Sequence, residues 1–167
     1  MAKKPRIKKI LVEQILDKAN VPYETIAFSG GMERSDAEMQ AFGLTEHDIY
    51  KTLALIGNVT GPVIGVVPLD SHLDEKKFAK VSGNKRVDMI PTKDLQKTTG
   101  YVHGANNPVG IWQTKKFPIY FDLVAKEAGL ITLSAGEVGR SIRVDATLLA
   151  DFVHGQFADL QTEQAHG

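Results

Sequence analysis

The sequence contains no cysteine among its 167 residues. That absence excludes disulfide bonds, thiolate metal sites and a cysteine nucleophile, and it is typical of proteins in a reducing compartment, so we expect a cytoplasmic protein. An excess of either charge is also missing, because 20 lysines and arginines balance 20 aspartates and glutamates. Contact with a nucleic acid would therefore depend on a local basic patch. Basic residues cluster within residues 3–9, 76–86 and 115–116.

Long apolar segments are missing as well. The first residues are basic and the following ones apolar, but Glu13, Gln14 and Asp17 interrupt the apolar run well short of a signal sequence or a membrane span. No P-loop, dinucleotide fingerprint, EF-hand loop or zinc spacing occurs, and none of the five histidines pairs with another at helical ligand spacing. We expect no membrane, no metal and no cofactor, so any catalysis must depend on side chains, backbone and substrate.

The apolar content of 43% is sufficient for one core in a chain of this length. It predicts a single domain over residues 1–160, followed by a flexible tail over residues 161–167. Apolar periodicity and the positions of glycine and proline predict helices over residues 6–19, 35–43, 74–82, 91–100 and 145–160. The same signals predict strands over residues 23–28, 49–57, 62–69, 86–90, 119–121, 130–133 and 141–144.

The connections between these elements indicate the fold class. Residues 58–61 read as the turn of a hairpin, and residues 104–110 are rich in Gly, Asn and Pro and read as a loop. Helices are inserted irregularly among hairpins, without βαβ alternation, which favours an α+β fold with a mixed sheet over a Rossmann fold.

Lys51 is the most informative residue of the predicted strands. Strand alternation places it on the same face as Ile49, Leu53 and Leu55, where an apolar residue would be expected. Because desolvation opposes the charged form of a lysine, one in such a position usually has a partner or a ligand. The alternative is a lysine whose stem packs on the strand while its ammonium reaches water.

The segment over residues 100–110 is the second candidate. Its glycines allow the backbone to approach a ligand closely, and such a loop can present backbone N–H groups to an anionic oxygen, although clusters of this composition often only connect elements. His103 directly precedes Gly104 within it. Ser134 offers a hydroxyl in a predicted loop, but no G-x-S-x-G elbow surrounds it, so a serine hydrolase is disfavoured.

Three segments occur in the order seen in one known family: YKTL at residues 50–53, TGYVHGANNP at 99–108 and LSAG at 133–136. The closing FADL at residues 157–160 looks similar too. The sequence thus resembles the YbaK/EbsC family over residues 7–160. This family is related to the editing domain inserted in bacterial prolyl-tRNA synthetases, and its best understood members hydrolyse cysteine mischarged onto proline tRNA. The resemblance implies a mixed, mostly antiparallel, barrel-like sheet surrounded by helices.

The resemblance also implies an activity and roles for individual residues. The protein would be a trans-editing aminoacyl-tRNA deacylase acting on Cys-tRNA(Pro), in transient complex with prolyl-tRNA synthetase. Lys51 would bind and orient the charged 3′ end, and the backbone of Gly104 would stabilise the carbonyl oxygen. In the family's proposed route the substrate's own thiol attacks its ester and leaves as a cyclic thiolactone, so no protein nucleophile is required. The residues implied to bind substrate are Phe28, Tyr101, His103, Ala105, Pro108, Ser134, Gly136 and Ser141.

Two positions depart from the family's pattern. Phe28 replaces a tyrosine late in the first strand, and Ser141 replaces an aspartate after the LSAG segment. Both changes remove a polar or charged group near the implied pocket, which could shift the amino-acid preference or weaken turnover. Two alternatives follow: a binding or regulatory module for aminoacyl-tRNA that has lost efficient chemistry, and a deacylase for another small amino acid.

Overall fold

The computed structural model describes residues 9–27 and 36–162. The described residues contain seven α-helices: α1 (Leu11–Lys18), α2 (Asp36–Ala41), α3 (Glu75–Ser82), α4 (Thr92–Thr99), α5 (Pro108–Lys115), α6 (Leu123–Ala128) and α7 (Ala146–Phe152). They also contain eight strands: β1 (Tyr23–Ala27), β2 (Ile49–Gly57), β3 (Gly61–Pro68), β4 (Val87–Met89), β5 (Ile119–Asp122), β6 (Leu130–Glu137), β7 (Arg140–Asp145) and β8 (Gln156–Ala158).

All eight strands belong to one curled, half-barrel sheet, in the order β1-β7-β6-β2-β3-β5-β8 with β4 paired to β2. The pairs β1/β7, β6/β7, β2/β3 and β2/β4 are antiparallel, and β2/β6, β3/β5 and β5/β8 are parallel. The expected α+β class with a mixed, mostly antiparallel sheet is confirmed. Strand β2 pairs with three neighbours and therefore lies at the centre of the fold.

The hairpin of β2 and β3 matches its prediction. Its register places Gly57 opposite Gly61, and the turn between them carries the polar residues expected there. The two faces of β2 contact different apolar clusters: Tyr50 and Ala54 pack in the larger one, while Leu53 and Leu55 pack in the smaller one beside Phe78 of α3. Both sides of the central strand are thus covered.

Helix α1 buries one face that includes a charged residue. Leu11 is 54% exposed, whereas Val12, Glu13 and Leu16 are buried. A buried carboxylate needs hydrogen-bond partners, and those of Glu13 are described below.

The predicted loop over residues 104–110 extends too far. Helix α5 begins at Pro108, which is its first residue and lacks the N–H that a first turn leaves unbonded, and the Asn107 side chain caps it by accepting from Val109 N at 2.7 Å. The Asn-Pro pair that was read as a connection is a helix start. The short helix α6, capped by Asp122, was also missed.

The predicted closing helix is too long. Its N-cap is Asp145, as expected, but α7 ends at Phe152 and Gly155 leads into β8, so the FADL segment contains the last strand and not a helix. Ser134 likewise lies within β6, which continues to Glu137, and not in a loop.

The last two described residues, Gln161 and Thr162, form hydrogen bonds with the rest of the fold. Gln161 and Thr162 were expected in a flexible tail, but Gln161 Nε2 donates to Asp122 Oδ2 at 2.8 Å and Thr162 N donates to His72 O at 2.9 Å. Phe28 and Ser35, the first residue of the helix predicted over residues 35–43, lie outside the described residues. Across residues 9–27 and 36–162, no helix has the length and apolarity needed to cross a membrane.

Candidate active site

A cleft of about 460 Å³ opens beside the start of β2. One wall comes from β2, a second from the end of β4 and the start of α4, and a third from the loop after α4 together with β6 and β7. Its polar lining residues are Tyr50, Lys51, Thr52, Thr92, His103, Asn106, Ser134, Arg140 and Ser141. The backbone of Gly104 lines it too. The cleft therefore combines residues that are far apart in the sequence, because β2 pairs with β6 at this point.

Lys51 lines this cleft and is half-buried on β2. Its ammonium donates a hydrogen bond to the backbone carbonyl of Ser71 at 2.6 Å, and none of the ion pairs among the described residues includes it. Burial lowers the pKa of Lys51, and the nearby charge of Asp70 opposes that shift. A cation held by a neutral carbonyl and partly desolvated keeps donors available for a ligand.

The loop between α4 and α5 presents Gly104 to the cleft. Gly104 has φ of 86°, a left-handed conformation that side-chain-bearing residues adopt at a cost. Behind it, Thr99 Oγ1 donates to Asn106 Oδ1 at 2.8 Å, and Asn107 Nδ2 donates to Ser134 O on β6 at 2.5 Å. These two hydrogen bonds, one buried and one partly buried, fix the loop against both α4 and the sheet.

Tyr101 supports this loop from the side. The Tyr101 ring occupies the space beside Gly110 of α5, where an added Cβ would lie 1.6 Å from the tyrosine hydroxyl. On its other side the ring approaches Gly136 of β6, where a Cβ would lie 3.0 Å from it. Burial raises the pKa of Tyr101, so the phenol stays neutral. Tyr101 therefore fills the junction between the loop, α5 and β6.

The residues implied by the resemblance divide into two groups. Lys51, His103, Gly104, Ser134 and Ser141 come together in the cleft lining. Tyr101, Ala105, Pro108 and Gly136 are not among the lining residues and instead support the walls. Phe28 lies outside the described residues.

Several cleft residues carry polar atoms that lack hydrogen-bond partners. Within the described part of the chain, Tyr50 Oη, Thr52 Oγ1 and Ser134 Oγ are buried without one. Burial, with a contribution from the charge of Asp122, raises the pKa of Tyr50 to about 12, so its hydroxyl remains a donor. Buried polar groups are normally paired, so this concentration in one cleft favours a polar ligand. Tyr50 and Thr52 were missed because they flank Lys51 in a strand that reads as core.

The buried pair of Glu13 and Arg140 was also not predicted from the sequence. Arg140 Nη2 donates to Glu13 Oε1 at 2.5 Å, and the second carboxylate oxygen accepts from the Thr25 hydroxyl. Burial opposes ionisation of Glu13, but the hydrogen bonds from Arg140, Thr25 and the Ile10 amide outweigh it and hold the pKa of Glu13 below its ordinary value. The pair ties α1 to the cleft wall at the start of β7.

Replacing Glu13 with glutamine should destabilise the protein by about 2 kcal/mol at pH 7, because Arg140 would lose its buried counter-charge. A depressed carboxyl pKa contributes stability that is present above the ordinary value of 4.5 and is lost as the pH falls through the folded-state value. The difference in unfolding free energy between Glu13→Gln and wild type should therefore shrink below about pH 4.5, which urea titrations over pH 3 to 7 would measure.

Glu24→Gln is the matched control for this prediction. Glu24 lies on β1 with its side chain 62% exposed, 3.7 Å from Arg143, and we expect a change within about 0.5 kcal/mol at every pH. Equal effects of the two substitutions would contradict the assigned burial of the Glu13 pair.

The cleft's chemistry is that of a binding site for an anionic or ester group. Its described lining contains Lys51 and Arg140 but no aspartate or glutamate. None of the lining hydroxyls forms a hydrogen bond with His103, so no nucleophile and base are paired, and the described residues contain no cluster of His, Asp and Glu suited to a metal ion. Such a site can position a substrate and stabilise negative charge.

Comparisons with known proteins agree with this chemistry. A family model described as the aminoacyl-tRNA editing domain matches residues 30–152. A protein of Enterococcus faecalis, provisionally named Cys-tRNA(Pro)/Cys-tRNA(Cys) deacylase EbsC, is 37% identical over 166 residues, covering 98% of this chain and 100% of the relative.

Solved structures share the fold. The hypothetical protein APE2540 superposes with a TM-score of 0.79 at 20% identity, covering 90% of this chain and 99% of that one. A protein provisionally identified as a trans-editing enzyme for prolyl tRNA synthetase has a TM-score of 0.73 at 21% identity, covering 84% and 87%. With a family model matching most of its length and a relative matching 98% of it, this chain belongs to the aminoacyl-tRNA editing domain family, in its YbaK/EbsC branch.

Proposed function

We propose that this protein, an aminoacyl-tRNA deacylase, removes cysteine from mischarged proline tRNA by cleavage of the aminoacyl ester. The observation that carries the proposal is the meeting of Lys51 and Gly104 in one cleft that lacks a paired nucleophile and base. The deacylase name of the relative that matches 98% of this chain supports the reaction class. Its printed substrates, Cys-tRNA(Pro) and Cys-tRNA(Cys), support cysteine as the amino acid.

The reaction in this cleft uses the substrate as its own nucleophile. The cysteine thiol attacks the ester carbonyl carbon, a C–S bond forms, and the C–O bond to the ribose breaks. The thiol proton ends on the released ribose hydroxyl, and the amino acid leaves as a cyclic thiolactone. Negative charge develops on the carbonyl oxygen, where the backbone N–H groups around Gly104 and the Lys51 ammonium would stabilise it.

Ser141 bears on the amino-acid preference. It is 2% exposed and lies directly opposite Ser134 in the antiparallel pair of β6 and β7, at the cleft wall. Two short hydroxyl side chains there leave a small neutral pocket wall in place of the family's aspartate. A small uncharged side chain such as that of cysteine fits this wall without leaving a buried charge unpaired.

The decisive measurement compares amino acids on one tRNA. Cysteinyl-tRNA(Pro) should decay with the enzyme at least about 100-fold faster than alanyl- or S-methylcysteinyl-tRNA(Pro), because only the free thiol supplies the intramolecular nucleophile. Cysteinyl-tRNA(Cys) serves to test tRNA selection. Adding prolyl-tRNA synthetase should raise the rate if the two proteins form the proposed transient complex, which would act in the cytoplasm where tRNA is charged.

Two other outcomes of this measurement would favour a broader deacylase or a module that only binds aminoacyl-tRNA. Equal decay of the alanyl and cysteinyl esters would replace the thiol route by attack of water and a broader amino-acid range. A stable cysteinyl ester, combined with tight binding of an uncleavable aminoacyl-adenosine, would indicate a binding or regulatory module.

A further inference from the structure

Arg140 is a charged cleft residue to which the proposed reaction gives no role. It is the first residue of β7, it lines the cleft, and its side chain is 14% exposed. One donor, on Nη2, is bonded to Glu13, while Nε is buried without a hydrogen-bond partner within the described residues. A guanidinium carries five N–H donors and Glu13 accepts from one of them, so Arg140 has further donors for an acceptor in the cleft that it lines.

Glu13 positions this guanidinium by accepting a hydrogen bond from it. The carboxylate is fully buried, is absent from the cleft lining, and is itself fixed by the Thr25 hydroxyl and the Ile10 amide. Its lowered pKa keeps it ionised at neutral pH. Arg140 is thereby oriented by a carboxylate that does not itself line the cleft.

The charge of the lining indicates what the acceptor is. The chain as a whole is neutral, yet the described lining carries two basic residues, Lys51 and Arg140, and no acidic one. At the 3′ end of an aminoacyl-tRNA the ester and the ribose are neutral, and negative charge resides on the phosphodiesters. A planar guanidinium matches two phosphate oxygens, which an ammonium does not.

We propose that Arg140 is a substrate-binding residue that recognises the phosphate on the 5′ side of the terminal adenosine, with Glu13 as its positioning residue. The assignment rests on the proposed function, since it takes aminoacyl-tRNA as the ligand. Lys51 serves the ester end of the same nucleotide and Arg140 its phosphate end. Two separated cations then fix the terminal nucleotide at both ends and set the position of the ester in the cleft.

The test pairs a protein change with a substrate change. The probes are 3′-cysteinylamino-adenosine, an uncleavable amide, and the same compound with a 5′-phosphate, and their binding is measured by calorimetry. Wild type should bind the phosphorylated probe about 10- to 100-fold more tightly, as expected for a charge-assisted contact. Arg140→Gln should abolish that ratio and leave the affinity for the phosphate-free probe within about 2-fold.

Two further variants serve as a control and as a conservative substitution for Arg140→Gln. Arg143→Gln makes the same change on the same strand, but Arg143 is absent from the cleft lining and bonds to Phe42 O, so it should retain the wild-type ratio. Arg140→Lys keeps the positive charge but lacks the planar guanidinium that can bind two phosphate oxygens, so it should give an intermediate ratio. It replaces Arg140→Gln in the test if a thermal melt shows that Arg140→Gln is unfolded.

The outcomes separate this proposal from the function on which it rests. Equal affinity of wild type for both probes, or equal loss of affinity for both in Arg140→Gln, would overturn the phosphate contact. If wild type fails to hydrolyse cysteinyl-tRNA(Pro), the proposed deacylation of that substrate is overturned instead. The ratio of affinities for the two probes would still show whether Arg140 contacts the phosphate.

Discussion

Lys51→Ala is expected to lower kcat/KM for cysteinyl-tRNA(Pro) by about 100-fold or more, the range found when one group that stabilises a developing oxyanion is removed. The expectation rests on the place of Lys51 in the cleft lining and on its single protein hydrogen bond, which goes to the neutral carbonyl of Ser71. The loss should fall mainly on kcat, because the carbonyl oxygen of the ester gains charge only on the way to the transition state. Single-turnover decay of the charged tRNA measures it.

The pH dependence of turnover shows whether Lys51 acts through the charge of its ammonium or only through the packing of its side chain. Burial lowers the pKa of Lys51, so the ammonium deprotonates at a lower pH than an exposed lysine. Enzyme-dependent turnover, corrected for decay in buffer, should therefore decline on the alkaline side, and Lys51→Ala should lack that limb. Lys18→Ala, on the exposed end of α1, should match wild type throughout. An unchanged rate in Lys51→Ala would remove this residue from the mechanism.

The fold was largely predictable where local patterns agree with tertiary contacts. The hairpin of β2 and β3, the N-cap at Asp145 and the stop of α3 at Gly83 follow from turn and cap chemistry that acts within a few residues. Helix α5 was missed because Gly110 and Pro108 are poor helix formers in general. Pro108 is acceptable only because it comes first in the helix, and Gly110 because the Tyr101 ring needs its space.

The site was predictable only in part, for a related reason. Lys51 stood out as a charge among apolar strand residues, and the family resemblance pointed to Gly104. Arg140 and Glu13 gave no such signal, since 127 positions separate them and each reads alone as a solvated charge. Their pairing depends on how α1 packs against the start of β7, which no local pattern encodes.

Gly110→Ala is expected to destabilise the protein by about 3 kcal/mol and to reduce deacylation with it. Alanine would ordinarily stabilise a helix by about 1 kcal/mol relative to glycine, so the sign depends on the clash. The new Cβ would lie 1.6 Å from the Tyr101 hydroxyl and 2.6 Å from Cζ, and Gly136 confines the ring on its other side. The ring must move, and the loop that carries Gly104 must move with it.

Chemical denaturation of four proteins would test this account: wild type, Gly110→Ala, Tyr101→Ala and the double variant. If the steric conflict is the cause, the double variant should be more stable than the sum of the single effects predicts, by about 1 to 2 kcal/mol. Gln113→Ala, an exposed position of the same helix, should change stability by no more than about 0.5 kcal/mol. Additive single effects would mean that Gly110 serves something other than the Tyr101 ring. A positive coupling energy, with activity lost in Gly110→Ala, would tie the position of Gly104 to packing on the far side of its loop.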